Sequence, residues 1–365
     1  MKKYKLGDVT DNFDNLRVPL SENKRKKRAG KYRYYGAQEI IDYIDDYIFD
    51  GEYILVAEDG NNLISGVKPL CTLVRGKFWV NNHAHIIKAN EKADNKYLMY
   101  LLNNINIRKY VTGSAQPKLN KKNLNNIDIY LPNIEEQQKI SSKIYTFDKK
   151  INNNNELIKK LHQILELLLK KIFIDNKDDS IKIEYKLLSE LVDINTNSIN
   201  PKNNPEKVYK HYSIPVFDIT KTYSEEIGEK ILSNKYRVTS NNLLVSKLNP
   251  QFKRIIYPME IDEAICSTEF VVWEPKEKNL LEYLYVLANS ERFTTYCINA
   301  SSGTSNSHKR VKPEFMMKYK VPYNEEIVFN FNEMVKPMVK KINLLLVENN
   351  KLIEARNILV NKLIK

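Results

Sequence analysis

Two histidines stand two residues apart in the run WVNNHAH at 79–85, a spacing that could supply a pair of metal ligands. On a β-strand, residues i and i+2 point to the same face, so His83 and His85 would lie side by side. Neither a cysteine nor a third histidine nearby completes a ligand set, so we interpret the pair as strand packing or a polar contact. The acidic pairs Asp45-Asp46 and Asp262-Glu263 also lack the context that would separate nuclease ligands from surface charge.

A second candidate for chemistry is Asn249-Pro250-Gln251-Phe252, which is close to the Asn-Pro-Pro-aromatic motif of adenine methyltransferases. Its second proline is missing, and no glycine-rich turn from strand to helix precedes it to hold a cofactor. With only ten glycines in 365 residues, neither a phosphate loop nor a dinucleotide fingerprint is present. The sequence therefore predicts no catalytic residue, metal site or cofactor in this chain, and an enzyme whose site escapes these motifs is one alternative.

Charge and cysteine content point to a partner and a compartment. Lys and Arg outnumber Asp and Glu by 13, which favours a polyanion such as nucleic acid, although a merely soluble basic protein also fits the charge alone. Three scattered cysteines, Cys71, Cys266 and Cys297, predict neither disulfides nor a clustered metal site, and they suit a reducing cytoplasm. Without eighteen consecutive apolar residues or an apolar signal core, we expect no membrane association.

Both halves of the chain offer side chains suited to DNA. Cations would hold phosphates, and amides such as that of Gln116 can pair with adenine through two hydrogen bonds, although each candidate also fits an ordinary polar surface turn. The candidates in the first half are Lys24, Arg25, Lys27, Arg28, Arg33, Asn82, His83, Ser114, Gln116 and Lys118. The candidates in the second half are Lys247, Asn249, Gln251, Lys253, Arg254, Ser307, His308, Lys309 and Arg310.

The elements that must position these side chains occur twice. Leu131-Pro132 and Val321-Pro322 are each followed by a Glu-Glu pair and some forty residues of apolar heptads, and a polar loop precedes each, at 113–118 and 303–310. The unit is far longer than the repeats of stacked solenoids, so this is a tandem duplication. We predict a first globular domain at 1–134, a long helix at 135–176, a second globular domain at 177–324 and a second long helix at 325–365.

Apolar residues in these helices step by four and three alternately, the spacing of a coiled-coil seam. Asn154 and Asn349 interrupt the two seams at repeat-equivalent positions, where a polar residue fixes register at a cost in stability. Pro337 predicts a kink or a helix in two pieces. The predicted seam comprises Ile144, Phe147, Ile151, Asn154, Ile158, Leu161, Leu165 and Leu168 in the first helix, and Met338, Ile342, Leu345, Asn349, Leu352 and Leu359 in the second.

The globular halves read as mixed α and β. Aromatic and β-branched runs predict strands, whereas 96–102 and 280–287 have helical spacing. The predicted strands include 53–56, 78–80, 242–245 and 270–273. The fold class is therefore α+β, with two mixed α/β domains in tandem joined by two long helices, and burial of each helix against its own domain is the alternative to a coiled coil.

Together, the order of parts, GSAQPKLN before the first helix, LPNIEEQQKI at its start, and the runs WVNNHAHII and VSKLNPQFKR resemble the specificity subunit of a Type I restriction-modification system. The resemblance spans essentially the whole chain. It implies two target-recognition domains held apart by antiparallel helices with pseudo-two-fold symmetry. The second helix start lacks the Gln137-Gln138 of the first, a departure that bears on whether the two docking surfaces are equivalent.

By that resemblance, the chain is a non-catalytic DNA-binding subunit that reads a bipartite, asymmetric target in double-stranded DNA. Its partners would be two adenine-N6 methyltransferase (modification) subunits and restriction/translocase subunits that act in DNA methylation and phage defence. S-adenosylmethionine, ATP and magnesium would be bound by those partners. The alternative is a structural coiled-coil protein that bridges DNA without sequence specificity.

Overall fold

The computed structural model describes residues 1–37, 39–60, 62–66, 69–113, 116–175, 182–259, 261–302 and 309–364. The chain divides into two compact units, Met1–Lys150 with Leu352–Lys365, and Ile151–Lys351. Both units mix helix and sheet, which confirms the predicted fold class. Across the described ranges, no helix has the length and apolar character needed to cross a bilayer.

The first unit contains a six-stranded sheet, in the order β2-β7-β5-β6-β3-β4, and a separate two-stranded ladder of β1 with β8. Within the sheet, β3 and β6 run parallel and the other neighbours run antiparallel. The strands are β1 (Lys2–Lys5), β2 (Thr10–Asn12), β3 (Ala29–Tyr35), β4 (Ile40–Ile44), β5 (Phe49–Ala57), β6 (Cys71–Val80), β7 (Ala84–Ala89) and β8 (Asp128–Leu131), and the helices are α1 (Glu22–Lys27), α2 (Asn62–Ser65), α3 (Asn95–Asn104) and α4 (Lys121–Asn125). Helix α5 (Ile134–Phe173) begins in this unit, and its residues from Ile151 onward belong to the second.

The second unit contains a four-stranded sheet, in the order β10-β18-β15-β16, and a five-stranded sheet, in the order β11-β14-β17-β12-β13. The strands are β9 (Glu184–Leu187), β10 (Val192–Asn195), β11 (Ser198–Ile199), β12 (Val208–Tyr212), β13 (Ser224–Ile227), β14 (Lys235–Arg237), β15 (Leu243–Ser246), β16 (Ile255–Ile256), β17 (Ala264–Cys266), β18 (Phe270–Pro275), β19 (Ser301–Ser302), β20 (Arg310–Val311) and β21 (Lys320–Tyr323). The helices are α6 (Leu188–Leu191), α7 (Ile214–Thr220), α8 (Leu281–Asn289), α9 (Glu291–Asn299) and α10 (Pro313–Met316). Helix α11 (Glu325–Leu363) begins in this unit, and its residues from Leu352 onward belong to the first.

Each repeat is closed by an equivalent ladder. In the first unit β1 pairs antiparallel with β8, so that Lys2 lies opposite Leu131. In the second unit β9 pairs antiparallel with β21, so that Leu187 lies opposite Lys320. The strand that begins each half therefore lies beside the strand that leads into its long helix, which gives Leu131-Pro132 and Val321-Pro322 a common structural role.

The long helices pack against each other in antiparallel fashion within each unit. In the second unit, Asn154 donates to the side-chain oxygen of Asn349 at 2.9 Å, and Phe173, nearer the end of α5, packs on Phe331, near the start of α11. In the first unit, Arg356 bonds Asp148 at 2.7 Å. The structure buries Ile144, Ile151, Asn154, Leu165, Ile342, Leu345 and Asn349 and half-buries Phe147, Ile158, Leu161, Leu168, Met338, Leu352 and Leu359.

Helix α11 runs without a break from Glu325 to Leu363 with Pro337 inside it. The expectation of two separate pieces is therefore wrong. Pro337 lies on the exposed side of the helix, and the buried neighbours Val335 and Val339 anchor the flanking turns in the core. Packing on the apolar side thus outweighs the hydrogen bond that proline cannot make.

The two long helices begin with similar caps but are clamped to their units by different residues. Asn133 and Asn324 cap α5 and α11 through side-chain oxygens. Buried Gln137 then bonds the carbonyls of Lys92 and Pro132 and accepts from the backbone N–H of Asp94, just before α3. The start of α11 lacks this glutamine, so a different side chain attaches the long helix to the second unit.

That side chain is Asn332, which is 1% exposed. Its oxygen accepts from the backbone N–H groups of Glu282 and Tyr283 at 3.1 and 3.0 Å, and its Nδ2 donates to the Glu282 carboxylate at 3.0 Å. These N–H groups belong to the first turn of α8, where helix geometry leaves donors without partners. Asn332 therefore fastens α8 to α11.

Substituting Asn332→Ala should lower the free energy of unfolding by about 1–3 kcal/mol, because two buried N–H groups and one carboxylate lose their partner. Urea unfolding followed by circular dichroism measures the loss. Asn330→Ala, an exposed position on the same helix, is the matched control and should change stability by less than about 0.5 kcal/mol. Equal effects of the two substitutions would contradict the clamp.

Candidate nucleic-acid interface

Three chain segments meet at the end of β5 in the first unit, and we call residues 58–60, 82–83 and 116–119 the first junction. This arrangement brings the candidates Asn82, His83, Gln116 and Lys118 to one place, although they are far apart in sequence. Three backbone hydrogen bonds close it: Glu58 N–H to His83 O (2.9 Å), Leu119 N–H to Glu58 O (2.8 Å) and Gly60 N–H to Pro117 O (3.1 Å).

The second unit repeats this arrangement at the end of β15, and we call residues 247–249, 269 and 309–311 the second junction. Its bonds match the first set one for one: Lys247 N–H to Glu269 O (3.0 Å), Val311 N–H to Lys247 O (3.0 Å) and Asn249 N–H to Lys309 O (2.8 Å). Isolated bridges also correspond, joining Asp59 to Lys118 and Leu248 to Arg310. The duplication therefore extends to the place where the candidate side chains gather.

At the first junction the cations are matched by carboxylates. Lys118 lies 3.2 Å from Glu58, which also receives a hydrogen bond from Arg17 at 2.7 Å. Burial opposes the ionisation of Glu58, but the hydrogen bonds from Arg17 and Lys118 outweigh it and lower the pKa of this carboxyl. His83 is exposed and lies 2.8 Å from Asp59. Polar side chains without strong net charge thus line this junction.

Beneath the first junction, His85 is 1% exposed and bonded through both ring nitrogens. Nε2 donates to the carbonyl of Leu119, and Nδ1 lies 2.6 Å from the carboxylate of Asp14. Burial tends to raise the pKa of Asp14, but the hydrogen bond with His85 and the backbone N–H of Ile86 lower it below the ordinary value. The pair holds segment 117–119 in place.

The second junction carries more cationic side chains. Arg310 bonds Glu269 through Nε and Nη2 at 3.0 and 3.3 Å. The side chains of Lys247, Gln251 and Lys309 make no hydrogen bond or ion pair with any described residue. A half-buried Lys247 and an exposed Gln251 offer a phosphate-binding cation and an amide able to read a base.

Two candidates for DNA contacts in this region are bonded within the unit. Arg254 is 8% exposed and holds Asp218 through Nε and Nη2 at 2.6 and 2.8 Å, so its donors are spent inside the unit. Asn249 is 7% exposed, and its side-chain oxygen accepts from the backbone N–H of Lys309 at 3.0 Å. Both side chains therefore stabilise the loop. Lys253 likewise pairs with Glu291 at 2.5 Å, although it stays partly exposed.

The basic run near residue 24 is the short helix α1 and not a loop. Its two arginines are committed internally: Arg25 bonds Asp42 at 3.0 Å, and Arg28 bonds Asp45 at 2.9 Å and lies over the ring of Trp79. Lys24 and Lys27 are exposed. Arg33 donates to the carbonyl of Arg75 and lies over Tyr35.

Some expectations fall outside the described residues or fail locally. Ser114, Ser307 and His308 lie outside the described residues. His83 precedes β7 and is exposed, whereas His85 lies inside the strand and is buried, so they do not share a strand face as expected. Among the residues with described positions, no three His, Cys, Asp or Glu side chains group as metal ligands do.

Sequence reasoning missed Glu58 and Glu269, the acids that neutralise part of each junction, and Arg17, which bonds Glu58. No motif in the sequence around these three residues identifies them. Alignment of the two repeats at the ends of β5 and β15 would have placed Glu58 opposite Lys247, because both positions directly follow a hydrophobic strand. The partners themselves become visible only when the backbone pairing is known.

Comparisons with known proteins agree with this duplication. The family profile described as Type I restriction modification DNA specificity domain matches residues 1–163 and again 181–323. A putative type I restriction enzyme specificity subunit from Haemophilus influenzae is 35% identical over 135 residues, which cover 37% of this chain and 34% of that protein. The EcoprrI specificity subunit from Escherichia coli is 26% identical over 134 residues, covering 37% and 32% respectively. The matches thus span about a third of the length of these curated relatives.

The fold also has a counterpart among solved structures. The crystal structure of a Type-I restriction-modification system S subunit from M. genitalium superposes with a TM-score of 0.66 at 14% identity, covering 100% of this chain and 96% of that one. At this identity the likeness establishes a shared fold. It supports the tandem arrangement of mixed α/β units with long helices.

The lowered pKa of Asp14 predicts an acid-sensitive first unit. A carboxyl whose pKa is depressed by folding contributes stability above its unfolded pKa, near 4, and loses that contribution as pH falls through the lower folded value. Asp14→Asn should therefore make the free energy of unfolding less dependent on pH below about 4 and reduce it by about 1–2 kcal/mol at pH 7. Urea unfolding from pH 2.5 to 7 measures this. Asp11→Asn, an exposed neighbour, should leave the wild-type slope, and an unchanged slope in Asp14→Asn would contradict the assignment.

Proposed function

This chain belongs to the Type I restriction-modification DNA specificity family, and from that premise we propose that it binds double-stranded DNA at a bipartite, asymmetric target. Each unit reads one half of the target. The chain performs no catalysis itself and directs partner subunits to the site. It works in the cytoplasm, where those partners and the DNA are found.

The observation that carries this proposal is the repeated junction with different side chains. Equivalent backbone bonds place Asn82, His83, Gln116 and Lys118 at the first junction, and a different set at the second. Phosphate contacts orient a protein on DNA, whereas amides and guanidinium groups read base edges. Two units with equivalent backbone bonds but different candidate base-reading side chains fit a target whose two halves differ in sequence.

The distribution of charge supports different contributions of phosphate contacts in the two units. The first junction pairs Lys118 and Arg17 with Glu58, which limits phosphate attraction there. The second presents Lys247 and Lys309 without an ion-pair partner among the described residues. We propose that the exposed Lys24 and Lys27 of α1 supply phosphate contacts for the first half-site, and Lys247 and Lys309 for the second.

Exposed apolar side chains on α5 suit protein partners. Leu157, Ile164 and Leu167 are 39%, 45% and 65% exposed within the second unit, on a helix whose opposite side is buried. Such residues at helical spacing favour an apolar partner surface. We propose that modification subunits dock here and bring S-adenosylmethionine, and that restriction subunits, which use ATP and magnesium, join the resulting complex.

Lys247→Gln should weaken binding to all DNA sequences alike and reduce the slope of log affinity against log salt by about one, because one phosphate contact is lost. Fluorescence anisotropy at several salt concentrations, with target and unrelated duplexes, measures both. Lys230→Gln, an exposed lysine of the same unit, is the matched control and should keep the wild-type slope.

Unlike Lys247→Gln, Arg254→Gln should act on stability, lowering the free energy of unfolding by about 1–2 kcal/mol since its partner Asp218 stays half exposed and screened by water.

Equal affinity for target and unrelated DNA in the wild-type chain would favour the non-specific bridging protein. A normal salt slope in Lys247→Gln would remove that lysine from the interface.

The helix pair should set the gap between the half-sites. Four residues inserted after Asn153 and four after Lys351 lengthen both helices by about 6 Å, close to two base-pair rises, while turning them little more than one revolution. We expect the preferred gap to grow by one or two base pairs with both half-site sequences kept, as measured by selection from duplexes of varied gap. Matched insertions of two residues should turn the seam outward and impair folding. An unchanged gap in a well-folded four-residue variant would contradict this role.

A further inference from the structure

The loop that leaves the second junction exposes an aromatic ring. Pro250–Phe252 form one 3-10 turn, in which the N–H of Phe252 donates to the carbonyl of Asn249 at 3.0 Å. Phe252 is 59% exposed, and Gln251 beside it is exposed too. This is the Asn-Pro-Gln-Phe segment that resembled a methyltransferase motif without its cofactor turn.

The first unit makes an equivalent hydrogen bond but buries the side chain of the residue that donates it. The N–H of Leu63 donates to the carbonyl of Gly60 at 3.1 Å, as that of Phe252 does to Asn249. Gly60 and Asn249 occupy equivalent junction positions, and both have positive φ. Leu63 is nevertheless 4% exposed and belongs to the core of its unit. The turn itself therefore does not require an exposed apolar side chain, and the exposure of Phe252 is particular to the second unit.

The turn is held rigidly on both sides. Asn249 and Lys253 have φ values of 48° and 44°, a left-handed conformation that is unfavourable for residues other than glycine and persists where surroundings enforce it. Asn249 is held in this conformation by its two-way bonding with Lys309. Lys253 is held by backbone hydrogen bonds, from its own N–H to the carbonyl of Pro250 and from the N–H of Ile255 to its carbonyl, both at 3.1 Å.

The ring also has a fixed backing. The guanidinium of Arg254 lies 4.8 Å from the centre of the Phe252 ring, within cation–π range. Asp218 holds that guanidinium through two hydrogen bonds, and the carbonyl of Leu248 accepts a third at 3.2 Å. Arg254 therefore offers the Phe252 ring a contact that is in place before a ligand arrives.

We propose that Phe252 is a wedge that inserts between neighbouring base pairs of the half-site read by the second unit, with Gln251 reading a base edge beside the opened step. This proposal rests on the proposed DNA-binding function. Apolar side chains that enter the base stack unstack one step and kink the duplex. Every base presents a π-face to an aromatic ring, and a ring already fixed in place pays a small entropic cost for stacking.

A structural role of the ring makes a different prediction. Phe252 also lines part of a cavity of about 320 Å³ beside His162, Tyr212 and Tyr285. If the ring served only as a wall of that cavity, its removal would lower thermal stability and leave DNA distortion unchanged.

The test uses the full-length chain and duplexes of its bipartite target, identified from methylated adenines in the source genome. The fluorescent base 2-aminopurine replaces each purine of the second half-site in turn, on both strands, so that every base step is covered. We expect the fluorescence at one step to rise several-fold on binding. Phe252→Ala should abolish that rise and weaken affinity about 5- to 100-fold, while Phe252→Leu should keep part of both, since leucine also acts as a wedge.

Phe315→Ala is the matched control. Phe315 is 45% exposed in the same unit and lies under the cation of Lys318 at 5.5 Å, but it belongs to α10. This variant should bind and fluoresce as the wild type does.

Specific binding by the wild-type chain without a fluorescence change at any position would overturn the wedge, as would a full change in Phe252→Ala. Failure of the wild-type chain to prefer its target over unrelated DNA would instead overturn the DNA-recognition function, which distinguishes the two failures.

Discussion

A carboxamide buried among apolar side chains must find a hydrogen-bonding partner, and this requirement fixes the pairing of the long helices. Asn154 and Asn349 are 3% and 7% exposed, and they bond each other, while the Nδ2 of Asn349 also reaches Asn155 at 2.9 Å. A shift of either helix by one turn would keep leucines and isoleucines in contact but would strand these amides. The leucine-rich seam supplies most of the apolar burial, and the asparagines select one register among several.

The units then depend on how each globular half is attached to a helix of fixed register. The first unit uses a buried glutamine at the start of α5, and the second uses Asn332 two turns into α11. Both bond backbone N–H groups at the start of a neighbouring helix or of the loop before it. Different residues thus make equivalent attachments, because in both places backbone N–H groups at the start of a helix have no partner within that helix.

Sequence patterns predicted those parts of the fold that depend on local periodicity. The heptads gave α5 and α11 their extents within a few residues, and β-branched runs located β5, β6, β15 and β18. Of the two outcomes that Pro337 predicted, a kink or a helix in two pieces, the continuous α11 excludes the second. A proline on an exposed helix side costs one hydrogen bond, whereas Val335 and Val339 bury their side chains completely.

The candidate site was less predictable because its residues meet through tertiary pairing. Residue type showed that Arg254 could bind phosphate, but only the structure shows Asp218 beside it. In the same way Asn249 looked like a base reader, and its amide turned out to be bonded to the backbone of Lys309. Charged and amide side chains build loops as readily as they bind ligands, and sequence spacing does not separate the two uses.

The ladders that close the repeats have a consequence for how such a chain changes over generations. Lys2 lies opposite Leu131, and Glu184 lies opposite Tyr323, so the two ends of each globular half are neighbours in space. A segment whose ends are adjacent can be exchanged by recombination without stretching the chain that remains. For the same reason, the order of its segments within the chain can be circularly permuted. Two crossovers, one in each strand of a ladder, would replace all the candidate DNA-binding side chains of one half and leave the helix pair intact. New combinations of the two halves can therefore arise from one recombination event.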